Sequence, residues 1–140
     1  MKFMVMHYSS DENEKGKPPT PELMEAMGGL MARSAQKGIL LAGEGVHPMT
    51  KGARITYKGG KRTVKDGPFA EAKEVIAGFA IIEVASREEA IEFCNEFAEI
   101  IGDIQIDVRQ VFEASDFGAE FTPELQEQET QSREQAAKNG

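Results

Sequence analysis

The sequence predicts one α+β domain, and three observations carry that expectation. Segments 2–8 and 75–85 hold apolar residues on both faces, as strands in the middle of a sheet do. Segments after Thr20 and after Ser86 open with helix-capping chemistry and continue at helical spacing. A Gly59-Gly60 pair separates two alternating stretches and reads as a hairpin turn.

Residues 2–8 form the first strand, with Phe3 and Val5 on one face and Met4 and Met6 on the other. Residues 9–19, rich in charge and turn formers, read as a loop. Thr20-Pro21-Glu22 supplies a hydroxyl N-cap, a proline at the first helical position and an acid in the first turn. Leu23, Met27, Leu30, Met31 and Ser34 then keep helical spacing. Met24 and Ala35 widen the stripe, and Gly38 is the expected C′ residue. Gly28-Gly29 costs this helix about 1 kcal/mol per glycine, and close packing on the sheet is the expected reason. Residues 39–46 make a strand interrupted by Gly43 and Gly45. Across the 59–60 turn the register pairs Tyr57 with Arg62, Thr56 with Thr63, Ile55 with Val64 and Arg54 with Lys65. Ser86 and Glu89 form a capping box ahead of an apolar face of Ala90, Ile91, Phe93, Cys94, Phe97 and Ile101. Residues 104–112 alternate: Ile104, Ile106 and Val108 inward, Gln105, Asp107 and Arg109 outward.

With the hairpin set aside, the order is βαββαβ, the ferredoxin-like arrangement, whose first and third strands are central. Two helices cover one sheet face and leave the other, with Met4 and Met6, facing water. An apolar patch of that size marks an interface, and a second copy related by a two-fold axis would bury it. A homodimer is therefore expected.

Composition excludes several functions. Hydrophobic residues make up 40% of the chain and charged ones 29%, which is ordinary for a globular protein. No apolar run approaches the roughly 18 residues a membrane span needs, and the short apolar start runs into Asp11, Glu12 and Glu14 rather than a cleavage site. A cytoplasmic protein with no membrane partner is expected. The net charge of −8 argues against nucleic-acid binding, which requires phosphate-neutralising cations. Residues 113–140 carry −5 of it and form an acidic, polar tail, partly helical or disordered, behind a domain spanning 1–112. Cys94, the one cysteine, reads as a small buried hydrophobe.

The stretch Lys65-Asp66-Gly67-Pro68-Phe69-Ala70-Glu71-Ala72-Lys73-Glu74, followed by Val75-Ile76-Ala77-Gly78-Phe79, resembles the signature of DGPF proteins within the YCII-related group. The opening residues Met1–Met6, Gly43 with Gly45, Ala90-Ile91 and Val108-Arg109 support the resemblance, which covers residues 1–112. It implies a dimeric α/β-barrel of ferredoxin-like subunits and leaves activity open. Some relatives in the broader group look like enzymes built on a His–Asp pair near the first helix. Here the first helix holds no histidine, and the two histidines are His7 and His47.

Candidate acid–base residues are Asp66, His47 and His7, since carboxylates and imidazoles move protons near neutrality. Asp66-Gly67-Pro68 is equally turn chemistry: Asp bonds its own backbone, Gly allows positive φ, and Pro fixes the next φ. Phe69 would wall a cleft, with Tyr8 and Glu44 beside it and Arg62 or Arg109 as anion anchors. Glu71 and Lys73 read as charges that pair with neighbours. No metal-ligand spacing, phosphate loop, dinucleotide fingerprint or serine triad occurs, so no metal or cofactor is expected. Two readings remain open. One is a homodimer that binds a small molecule, with or without cofactor-independent acid–base chemistry at the DGPF loop. The other is a non-catalytic regulatory or accessory protein acting through the basic hairpin or the acidic tail.

Overall fold

Four strands, β1 (Lys2–Tyr8), β2 (Leu40–Gly45), β5 (Ile76–Glu83) and β6 (Ile106–Gln110), pair in the order β2-β5-β1-β6, antiparallel throughout. The computed structural model describes residues 1–69 and 75–140. Glu71 and Lys73 lie outside that range. The two strands expected to be central, β1 and β5, are central. The remaining strands, β3 (Ala53–Lys58) and β4 (Lys61–Asp66), form a separate two-stranded ribbon. Mixed α+β architecture with this strand order is compatible with a ferredoxin-like fold.

Alternation sets the two faces of the four-stranded sheet. Phe3, Val5, Ala80 and Ile82 point to one side and join Ala90, Phe93 and Cys94 in the buried core. Those last three come from α3 (Arg87–Ile101); α2 (Pro21–Gln36) adds Met31 at the core's margin and buries Leu30 and Ser34. Met24 and Ala35, expected to widen the α2 stripe, are exposed.

Both helices start as their sequences direct. Thr20 accepts a hydrogen bond from the Leu23 amide at 3.2 Å, and Ser86 one from the Glu89 amide at 3.2 Å. The Glu89 carboxylate reaches back to the Ala85 amide at 2.9 Å, one residue before the cap. Gly38, at φ +73°, closes α2 in a Schellman arrangement, with Ile39 N–H donating to Ser34 and Gly38 N–H to Ala35. Gly28 and Gly29 do not mark close packing on the sheet. A Cβ on Gly28 would meet nothing within 4 Å, and one on Gly29 would meet only the flexible end of Arg33.

Residues 9–19, expected to be a loop, contain a short helix, α1 (Asp11–Glu14), capped by Ser10. A 3-10 turn, Met49–Lys51, follows β2 and buries Met49. The chain divides into two compact units, Met1–Gln110 and Val111–Gly140. In the second, a 3-10 segment (Ala114–Glu120) bends at Gly118 and leads into α4 (Pro123–Asn139). Thr122 caps α4 through the Leu125 amide. This helix is longer than the short, fraying one expected. It buries no residue, and pairs such as Arg133 Nε to Glu129 at 2.9 Å support it along its surface.

Candidate functional site

Strand pairing assembles the face opposite the helices from residues that are distant in sequence. Glu44, Phe79, Met6 and Asp107 form one row across the four strands; Ala42, Ile81, Met4 and Arg109 form the next. Met4, Met6, Phe79 and Ile81 are half-buried, and Glu44 and Arg109 are exposed. At the end of β1, the Tyr8 hydroxyl donates to Asp107 Oδ2 at 2.6 Å, a charge-assisted bond across 99 positions of sequence. An apolar floor thus carries a phenol–carboxylate pair, with a further carboxylate and a guanidinium at its margins.

The DGPF corner is built differently. The register of β3 and β4 is the one expected, from Arg54 with Lys65 to Lys58 with Lys61, and Gly59 and Gly60 take φ +57° and +76°. Asp66 ends β4 opposite Ala53 and is exposed. The Gly67–Pro68 peptide is cis, and Gly67 N–H donates to the Gly52 carbonyl at 3.0 Å. Positive φ is not what position 67 requires, contrary to the turn chemistry expected there. A Cβ on Gly67 would fall 1.7 Å from the Met49 carbonyl oxygen, so glycine is needed for space. Phe69 is half-buried beneath the Arg54 guanidinium, whose carbon lies 4.6 Å from the ring centre.

Glu14 fastens this corner to the sheet. Its Oε2 accepts from the buried Ser9 hydroxyl at 2.7 Å and its Oε1 from the Met49 amide at 3.0 Å. Ser9 N–H donates to the Val75 carbonyl at 2.6 Å. The end of β1, α1 and the Met49 turn are therefore tied through one carboxylate, and the residue before β5 is held by the Ser9 backbone.

The candidate residues come from separate elements. Tyr8, Glu44 and Arg109 share the open face. His7, one residue away, turns to the helical side, where its ring meets Phe97 at 5.2 Å between centres. Its Nε2 occupies the space that a side chain at Gly78 would need. Burial lowers the His7 pKa below its ordinary 6.5, so the neutral imidazole is favoured. His47 lies in the exposed stretch between β2 and the Met49 turn, Asp66 and Phe69 belong to the corner, and Arg62 is exposed on the ribbon opposite Tyr57. Cys94 is buried in the core, and desolvation pushes its thiol up to about 11, which keeps it protonated. Among the described residues, no group of three or more His, Cys, Asp or Glu is placed to hold a metal ion. Asp107, Glu14 and Ser9 were not candidates from sequence. The outward alternation of 104–112 beside a neighbouring first strand was the signal available for Asp107.

An antiparallel sheet with two helices on one face and a DGPF corner at its end defines a small α+β class. The chain belongs to the YCII-related domain family, whose model matches residues 1–112. A curated relative, the uncharacterized protein R00369 of Rhizobium meliloti (strain 1021), is 41% identical over 51 residues, covering 36% of this chain. This chain spans 41% of that relative's length. A solved structure, the 5-chloro-2-hydroxyhydroquinone dehydrochlorinase TftG of Burkholderia phenoliruptrix AC1100 in complex with 2,5-dihydroxybenzoquinone, aligns with a TM-score of 0.40 at 13% identity. The alignment covers 81% of this chain and 96% of that one. Similarity at that level carries no argument about chemistry. No helix among the described residues is long and apolar enough to cross a membrane.

Proposed function

We propose that this chain is a homodimeric small-molecule-binding protein whose ligand sits on the open sheet face, between that face and its copy in a second protomer. The observation that carries the reading is the Tyr8–Asp107 hydrogen bond, 2.6 Å long, set on the apolar floor of Met4, Met6, Phe79 and Ile81. Apolar surface with a few oriented polar groups is the usual composition of a small-ligand site. Packing two such faces would form a dimeric α/β-barrel, bury the floor, and raise the strength of every polar contact inside.

The pair suits cofactor-independent proton transfer. Asp107 accepts the phenolic hydrogen and fixes the ring, a phenol–carboxylate arrangement of the kind that relays a proton. Arg109, one row along, suits an anionic group on the ligand, and Glu44 a donor. Asp66 and His47 lie off this face and belong to the reading only as groups at a cleft mouth in the dimer. His7 contributes packing rather than chemistry.

A fragment screen by ligand-observed NMR, stocked with small aromatic and carbonyl-bearing acids, tests the reading. At least one class should bind the native protein and lose binding in Tyr8→Phe and Asp107→Asn, with melting temperatures nearly unchanged. A screen that is blank for the native protein, or hits indifferent to both substitutions, would leave the non-catalytic accessory role as the better account. Sedimentation at micromolar concentration tests the dimer separately, and a monomer there removes the enclosed site.

A further inference from the structure

The pairing of β1 with β5 slips at the residue that carries the phenol. His7 faces Gly78 and Tyr8 faces Ile76, so Ala77 has no partner on β1. A bulge of this kind re-aims the side chain beside it. Past the slip, Tyr8 N–H donates to the Gln105 carbonyl at 3.1 Å and Ser9 N–H to the Val75 carbonyl. Strand ends are where a structure opens first, so the aim of the Tyr8 ring depends on what anchors the chain behind it.

Glu14 is that anchor. The Ser9 side chain is buried, and its hydroxyl donates to Glu14 Oε2 at 2.7 Å, while Glu14 Oε1 accepts from the Met49 amide at 3.0 Å. The helix that presents Glu14, α1, spans four residues and buries none of them. A single turn has no stability of its own in water. What holds it is the Ser10 cap at one end and the two Glu14 bonds at the other. Met49 is constrained in its turn, because its carbonyl oxygen fills the space that a Cβ on Gly67 would need. A continuous path therefore runs from Gly67 through Met49, Glu14 and Ser9 to the backbone of Tyr8. Both carboxylate oxygens are committed, so a displacement at one end of the path is passed to the other.

We infer that Glu14 is a positioning residue for Tyr8, coupling the geometry of the Tyr8–Asp107 pair to the DGPF corner. The inference rests on the reading of that pair as the group that meets a ligand, and adds the residue that sets its aim. It gives the corner a part in the site without requiring Asp66 or Phe69 to reach the ligand.

The chain has two tyrosines, so Tyr57→Phe, on the exposed ribbon, leaves Tyr8 as a lone spectroscopic probe. With tyrosine labelled with 13C at Cζ, the NMR signal of Tyr8 reports its hydroxyl bond, and Asp107→Ala calibrates the shift caused by losing that bond. The measurement needs no ligand. Glu14→Ala and Ser9→Ala should each move the signal in the direction set by Asp107→Ala. In the Asp107→Ala background both should move it much less, as coupled sites do. Ile82→Val, which lowers the melting temperature from within the core, should leave the signal in place. A signal unmoved by Glu14→Ala and Ser9→Ala, an equal shift in the two backgrounds, or a like shift from Ile82→Val would overturn the positioning role. Should Glu14→Ala not fold, Ser9→Ala, which leaves the Met49 bond intact, carries the same comparison. The fragment screen decides the ligand reading separately. Hits lost in Tyr8→Phe alongside an unmoved signal keep the site and remove Glu14 from it. A blank screen alongside a moving signal removes the ligand and keeps the coupling.

Discussion

The four-stranded sheet and the β3–β4 ribbon are both antiparallel and both alternate in sequence, yet their side chains meet opposite fates. In the sheet, Phe3, Val5, Ala80 and Ile82 find α2 and α3 above them and disappear from solvent. In the ribbon, Ile55 and Val64 sit directly opposite one another and stay wet. Alternation thus specifies which residues share a face, and the elements that arrive over that face decide whether it is a core.

The largest consequence is for two isoleucines. Ile82→Ala should cost about 3 to 4 kcal/mol in urea unfolding, because a fully buried side chain is removed from a packed core. Ile55→Ala, measured at protein concentrations low enough to keep the chain monomeric, should change stability by less than about 0.5 kcal/mol. Equal losses at the two positions would mean that the ribbon is covered within its own chain. Next in size is Gly67→Ala. The added methyl must displace the Met49 carbonyl, and overpacking of this kind costs about 1 to 3 kcal/mol. The loss should appear in thermal unfolding even though position 67 begins outside any core strand. The smallest effect is a pH dependence confined to the sheet. The unfolded chain binds more protons than the folded one between the lowered His7 value and 6.5, so this contribution is complete above pH 6.5. It declines as the pH falls from there and levels off below the folded value. In His7→Gln, melting curves between pH 7.5 and 5.5 should lose that decline; an unaltered decline would place its origin elsewhere.

Features governed by local chemistry were readable in the sequence. The ribbon register follows from a two-residue glycine turn, and the starts of α2 and α3 follow from Thr20 and Ser86. The central positions of β1 and β5 follow from their two apolar faces. What escaped depends on segments meeting in space. Asp107 reads as outward-facing and Tyr8 as a residue beside a cleft, but their bond needs β6 beside β1. Glu14 looked like one more charge in a polar loop until Ser9 and Met49 were brought to it. The need for glycine at 67 was expected from backbone conformation and arises instead from a carbonyl supplied by a different turn. His7 was weighed for its chemistry, whereas the parity it shares with Phe3 and Val5 sends it toward Phe97.

The fit between His7 and Gly78 binds two neighbouring strands into a single steric unit. A methyl at 78 would approach within 2.6 Å of the imidazole nitrogen and within 3.1 Å of the Glu44 carbonyl on the opposite strand. A smaller residue at 7 would remove the first obstacle and leave the second, which is backbone. Any redesign of this sheet that places a side chain at 78 has to make room on both neighbouring strands.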